Sequence, residues 1–458
     1  MNYAETLRQY EQNPQAFEGL FQRARTEGQV RDFTDAVQQL HTETPDALLY
    51  QAWYYRLASP DARAAEAGTG VQQHNPNWPV AIGLSLLSAV VFWLLSDVEI
   101  FHFGRDFPLA PIVLAPIAAL FVMLFLTVVQ PPAPRRLQRL LGLGLLLTLS
   151  VLYVTWVGPR ILVSSNEESY LMLAVPHLVL FAWFAVGAWL LHGQNTVGQR
   201  FAFAIKSFEV AVIGGLFVLA GGLFTAISFG LFETLGITVN DTVVRIYIAG
   251  GGGLIPVLAV ALAYDPRRSP QAQAFQSGIS SLIATLMRLM LPLALLLLVV
   301  YVGLIPFNFN EPFKNRDVLI VYNALLFAVI GLLLSATPVT TRDLSETHQR
   351  WLRRGLLALA ALAVLISLYA LAAIGYRTWN DGLTPNRVTV IGWNLVNMGL
   401  LILLLVRQSR STLQNWLAAM QQTFAQGTIA YVLWAIAVTG LVPWFFMWAQ
   451  TPIRLWRG

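Results

Sequence analysis

Apolar stretches of about twenty residues recur from Trp78 to Trp448, and runs of that kind leave few folds open. Inside hydrocarbon no water satisfies backbone N–H and C=O groups, so a crossing segment must close its hydrogen bonds within itself, as a helix does. Eleven spans are expected: Trp78 to Leu95, Pro108 to Val129, Leu140 to Val157, Tyr170 to Leu191, Phe208 to Phe229, Val243 to Ala263, Leu282 to Tyr301, Val318 to Ala336, Gly355 to Gly375, Val388 to Val406, and Ile429 to Trp448. The balance of residues agrees, since 56% are hydrophobic and 12% charged, against about a quarter charged in soluble domains. The expected fold is all-α: a polytopic helical membrane protein with a small N-terminal helical cytoplasmic domain. The expected division is a head over residues 1–67, a linker over 68–77 and a transmembrane domain over 78–458.

The head reads as short amphipathic helices. Asn13-Pro14, Thr44-Pro45 and Ser59-Pro60 each place a capping side chain before a proline, which suits the first helical turn because it has no N–H to satisfy. Phe17, Leu20, Phe21 and Ala24 form one stripe, Phe33, Val37 and Leu40 a second, and Leu48, Leu49, Ala52, Trp53 and Leu57 a third. Gly28 separates the first two. The first two starts lie about thirty residues apart, near the period of helix-hairpin repeats, so a small helical cap and a protein-docking module are both open.

Charge sets the expected orientation. Of the net +5, the segment before Trp78 carries six arginines against ten carboxylates, which leaves the membrane part at +9. That excess suits loops facing anionic lipid rather than nucleic acid. With the N-terminus in the cytoplasm, thirteen Lys/Arg fall in inside connections and eight outside. No cysteine is present, which removes disulfides and thiolate ligands together. The polar opening stretch is no secretory signal, so the first span is expected to stay as an anchor.

Several spans carry unusual residues. Gly214, Gly215, Gly221 and Gly222 offer bare backbone on the fifth span for close approach of another helix. Gly250, Gly251, Gly252 and Gly253 followed by Pro256 make a continuous sixth helix doubtful: a kinked helix is one reading, and a break of the kind that lines transport sites is the other. Arg288 lies inside the seventh span, on a face with Ser281, Thr285 and Pro292. Either its head snorkels toward the cytoplasm or it forms a buried pair; Glu209 is the best-placed carboxylate, and that pair would tie the fifth and seventh spans. Arg245 has Asp241 one turn before it, and His177 reads as a satisfied bundle histidine.

Signatures of catalysis are sparse. The six histidines never fall in a ligand pattern, so neither a metal nor a cofactor is expected. The glycine run lacks the Gly-Lys-Ser/Thr end of a phosphate loop, and no Gly-x-Ser-x-Gly turn occurs. An enzyme acting on lipid-linked substrates would have to use loop residues such as Glu167, Glu168 and Asp241.

The polar turn Tyr376 to Arg387 joins the ninth and tenth spans. Gly382 suits a left-handed helix end and Thr384-Pro385 a helix start, so the two spans form a tight hairpin. Arg377 and Arg387 then flank one opening, with Asp381 able to pair with either. Together with free amides at the helix start, beside Asn386, they make a candidate anion site. Asn394 and Asn397 continue the polar stripe inward from Arg387. The competing reading is that Asp381 and the arginines only lock the hairpin.

This stretch, Gly-Leu-Thr-Pro-Asn-Arg at Gly382 to Arg387, preceded by an arginine and an aromatic residue, resembles a bacterial family of polytopic inner-membrane proteins catalogued as domain of unknown function 4153. The resemblance runs from the second or third span through the tenth and departs at Asp381, where family members usually carry Tyr. It implies a fold and a bacterial inner-membrane location, with no activity or cofactor to carry over. The leading functional expectation is binding or transport of a small solute or lipid-like anion. A scaffold or sensor that docks a protein partner through its head is the alternative, and a membrane enzyme is the third class.

Overall fold

The computed structural model describes residues 3–11, 13–26, 29–58, 76–103, 107–131, 133–157, 160, 164–276, 278–314, 316–341 and 344–455. Contacts divide the chain into two compact units, residues 1–75 and 76–458. The first contains helices Tyr3–Gln9, Pro14–Thr26, Val30–Glu43 and Leu48–Ala58. Leu7, Phe17, Phe33 and Val37 are fully buried, with Phe33 and Trp53 edge-to-face at their centre.

Asn13 caps as its position before Pro14 requires, with its Oδ1 accepting the Ala16 N–H at 3.1 Å. Thr44 behaves differently. Its hydroxyl donates back to the Leu40 carbonyl at 3.0 Å, so it closes one helix, and the next begins only at Leu48. Leu48 is exposed while Tyr50, Trp53 and Leu57 are buried, which rotates the expected third stripe. Gly28, Ser59-Pro60 and linker residues 68–75 lie outside the described residues.

The second unit is a helical membrane bundle. Among the described residues, ten helices are long and apolar enough to cross a bilayer: Trp78–Leu95, Ala110–Val129, Arg136–Trp156, Ser169–Leu190, Val197–Thr234, Asp241–Ala263, Gly278–Asn308, Glu346–Asp381, Pro385–Ser409 and Trp416–Trp448. In chain order these are the first to seventh and ninth to eleventh spans. The helix Arg316–Ala336, with a shorter apolar stretch Ile320–Ala336, is the eighth. The chain is therefore a multi-pass membrane protein.

The ninth span shows how the bundle meets the bilayer. Trp351 and Trp379, 68% and 90% exposed, stand about 42 Å apart along its axis, close to the roughly 40–45 Å of a bilayer with its headgroups. Between them Gly355 to Tyr376 carries no charge. Connections then alternate between two ends of the bundle. One end, called here the basal end, carries the 191–196, 264–276 and 410–415 loops.

Two cores form behind this frame. Leu126, Leu147, Ala185, Trp189 and Val257 join the first four spans to the sixth. Ile205, Leu298, Leu326, Ile366, Leu404 and Phe424 join the fifth to the seventh through eleventh. The fourth and fifth spans therefore run along the seam between the two.

The sixth span is not broken at its glycines. A wider π turn at Ile246–Gly250 feeds directly into the α-helix Gly251–Ala263, and Gly250 and Gly251 keep right-handed helical backbone. What glycine supplies there is proximity. A Cβ on Gly253 would lie 2.7 Å from the Ala89 Cα, so the first and sixth spans touch backbone to backbone. Of the fifth-span glycines, Gly214 does lie against the sixth span, where a Cβ would meet the Ile255 side chain at 3.6 Å, whereas Gly215, Gly221 and Gly222 face open space.

Candidate functional site

The arginine turn is built largely as expected. Gly382 ends the ninth span at φ +84°, and the Thr384 hydroxyl caps the tenth by accepting the Arg387 N–H at 3.3 Å. Arg387 spends its guanidinium on Asp381 at 2.7 Å and on the Gly382 carbonyl. Those bonds close the turn on itself. Arg377 does not join them; it makes no side-chain hydrogen bond or ion pair among the described residues, and its Nη1 is buried. Asn386 is half-buried and likewise unbonded.

The stripe below the turn works as interhelical glue. Asn394 accepts from Ser367 on the ninth span at 2.8 Å, and Asn397 accepts from Tyr431 on the eleventh at 2.7 Å. Just before them Trp393 donates to His177 Nε2 on the fourth at 3.0 Å. That ring nitrogen is therefore the acceptor, and Nδ1–H faces the Leu173 carbonyl at 2.6 Å. Three polar side chains on the tenth span thus reach three different helices.

Arg288 and Glu209 are not brought together. Arg288 Nε points at the Ala336 carbonyl at 3.4 Å, adding positive charge where the eighth span exposes its last carbonyls. Glu209 pairs with Lys206, one turn earlier on its own helix, at 2.7 Å. The Lys206 ammonium also donates to Ser280 at 2.7 Å and to the Ala274 carbonyl at 3.2 Å. All three of its donors are used, and Ser280 donates in turn to Glu209 at 2.7 Å. The i, i+3 spacing of Lys206 and Glu209 was visible in the sequence; that a serine 71 positions on completes the cluster was not.

What the sequence did not show is a group of cavities around Trp183, on the seam between the two cores. The first, of about 350 Å³, lies among the fourth, fifth and eleventh spans, and its polar rim is His192, Asn195 and Arg200. These residues sit where the fourth-span apolar run ends, while its floor residue Trp183 lies about 12 Å deeper along the helix. Phe184 and Ile429 on the wall are 40% and 46% exposed, so the cavity opens sideways toward lipid.

Arg200 is the distinctive group here. Its side chain makes no hydrogen bond or ion pair among the described residues, and its Nε is buried. A guanidinium carries five N–H donors and no acceptor; here the buried Nε–H has no protein partner on a side chain that lines the cavity. In the sequence Arg200 registers only as one more basal charge; nothing local marks it.

Trp183 and Phe203 stack at 5.5 Å and separate the first cavity from a second, of about 300 Å³, among the second, fourth, fifth and sixth spans. The partition is held in place. Trp183 Nε1 donates to the Ser207 hydroxyl at 2.9 Å, and Gly187 admits the Phe203 ring where a Cβ would lie 2.8 Å from it. Tyr264, at the basal rim of the second cavity, donates to the Arg268 carbonyl at 3.0 Å, and burial raises its hydroxyl pKa further above neutrality. Among the described residues no group of three or more His, Cys, Asp or Glu could hold a metal.

No family model, curated protein or solved structure matches this chain.

Proposed function

We propose that this membrane protein binds an amphipathic anion in the first cavity, with the anionic group at Arg200 and the apolar part along Trp183, Phe184 and Val432. The observation that carries the reading is the unspent Arg200 guanidinium at the rim of an aromatic-walled cavity open toward lipid. Water cannot follow an apolar tail into such a site, and a carboxylate or phosphate oxygen suits the guanidinium fork. The basic excess of the basal connections supports a cytoplasmic placement of this end. The Gly382–Arg387 resemblance supports a bacterial inner membrane as its location.

Native mass spectrometry or thermal shift in lipid nanodiscs tests the reading. Wild-type protein should favour anionic phosphatidylglycerol over neutral phosphatidylcholine. Arg200→Ala should lose on the order of tenfold in that preference, from the loss of one charged hydrogen-bonding group, and Arg200→Lys should keep part of it. Equal preference in wild type and Arg200→Ala would sink the proposal.

A further inference from the structure

The second cavity is long rather than round. Its wall on the second span runs from Ala115 to Leu126, about 16 Å at the helical rise. That is half of the roughly 30 Å hydrocarbon core, the depth of one leaflet. It begins beside Leu190 and Tyr264 at the basal end and descends to the middle of the bundle at Ala115 and Val179. Alanines at 115, 118, 119 and 182 hollow it out.

Its polar lining is already committed. Lys206 bonds Glu209, Ser280 and Ala274. The Ser207 hydroxyl accepts from Trp183 and donates to the Phe203 carbonyl at 2.8 Å, and Tyr264 bonds Arg268. No hydrogen-bonding ligand is called for, and a hydrocarbon chain meets no unspent donor. The cavity shares its Trp183–Phe203 wall with the first, and Arg200 stands one turn from Phe203 on the same helix.

We infer that the second cavity holds one acyl chain of a two-chained anion that Arg200 receives, the other chain staying in the first cavity, so that the ligand is an anionic membrane lipid that straddles the basal edge of the Trp183–Phe203 partition and whose second chain fills one leaflet's depth. The inference rests on the proposed Arg200 site and adds the ligand's second half. Chain length is then what the cavity measures. Because lipid tails and the cavity are equally apolar, selection arises from filling: a short chain leaves a void whose cost grows with its volume.

Full-length protein in detergent, titrated with phosphatidylglycerols of short, medium and leaflet-length chains and with inorganic phosphate, tests this by native mass spectrometry. Affinity should rise on the order of tenfold from the shortest to the leaflet-length chain and then level off. Ala118→Phe, which fills the cavity, should remove that dependence while the preference for anionic over neutral lipid survives; the milder Ala118→Val should weaken it. Wild-type affinity independent of chain length, or phosphate competing as well as lipid, would overturn the inference and leave the Arg200 site standing. If Arg200→Ala does not weaken lipid binding, the underlying site is wrong as well.

Discussion

Arg245 shows how one charge finds its partner in this bundle. Asp241 is its neighbour one helical turn away, yet stands 4.0 Å off with its own side chain 83% exposed. The guanidinium turns instead to Asp97 at 2.6 Å, Ser96 at 3.1 Å and the Trp93 carbonyl at 3.0 Å, all at the end of the first span. There it joins a carboxylate and one of the helix's last carbonyls, which a solvated neighbour cannot match. The Arg245 hydrogen bond holds the Asp97 carboxyl below the usual carboxylate range. A depressed folded-state value stabilises above the unfolded pKa, about 3.9, and that contribution is lost as pH falls through the folded value. Acid melting curves should therefore show wild type losing stability below about pH 4, and Asp97→Asn should be less stable at neutral pH with a flatter acid limb. At the buried cluster, Lys206→Met or Glu209→Gln alone should cost about 3–5 kcal/mol because each strands a partner. The double variant should recover much of that loss in thermal unfolding; additive losses would mean the two residues act separately.

The glycine run shows the same contrast at the scale of an element. The sequence reveals that Gly250 to Gly253 are special, and it suggests a broken helix, because glycine weakens helices wherever it occurs. Only the packing separates their roles. Gly253 presses on the first span at Ala89, whereas Gly251 and Gly252 meet nothing within 4 Å. Gly253→Leu should therefore cost about 1–3 kcal/mol or more through forced separation of two helices. Gly251→Ala should be neutral or stabilise by roughly 0.5–1 kcal/mol through helix propensity. Equal effects at the two positions in denaturation assays would contradict the close crossing. Helix ends were more legible than helix partners: Asn13, Gly382 and Thr384 serve where their types and neighbours indicate, because a cap satisfies groups within a few residues of itself. Arg288 was misjudged because its partner, the Ala336 carbonyl, is placed by a helix far away in the chain; Glu209 was misjudged because Lys206, three residues before it, is its ion-pair partner, joined by a Ser280 that only the fold brings near.

For the whole molecule, whether the eighth helix crosses decides the topology. If it crosses with the other ten, the connections after the fifth and tenth spans lie on opposite sides of the membrane. The chain has no cysteine, so single cysteines report cleanly. Thr238→Cys and Leu383→Cys should react with an impermeant thiol reagent from one side, and Gln194→Cys and Arg410→Cys from the other. Thr238→Cys and Arg410→Cys reacting from the same side would mean that Arg316–Ala336 does not span.

The sequence by itself determined that this chain enters a membrane, that it does so as helices, and roughly where each helix begins and ends. Those properties are local: hydropathy over about twenty residues, and caps within a turn. The tertiary structure decided which charges meet, which glycines touch a neighbour, and that a void surrounds Trp183. A cavity is space left by helices distant in the chain, so no single residue or spacing encodes it. Arg200 became a candidate ligand residue only once three helices had arranged that space around it.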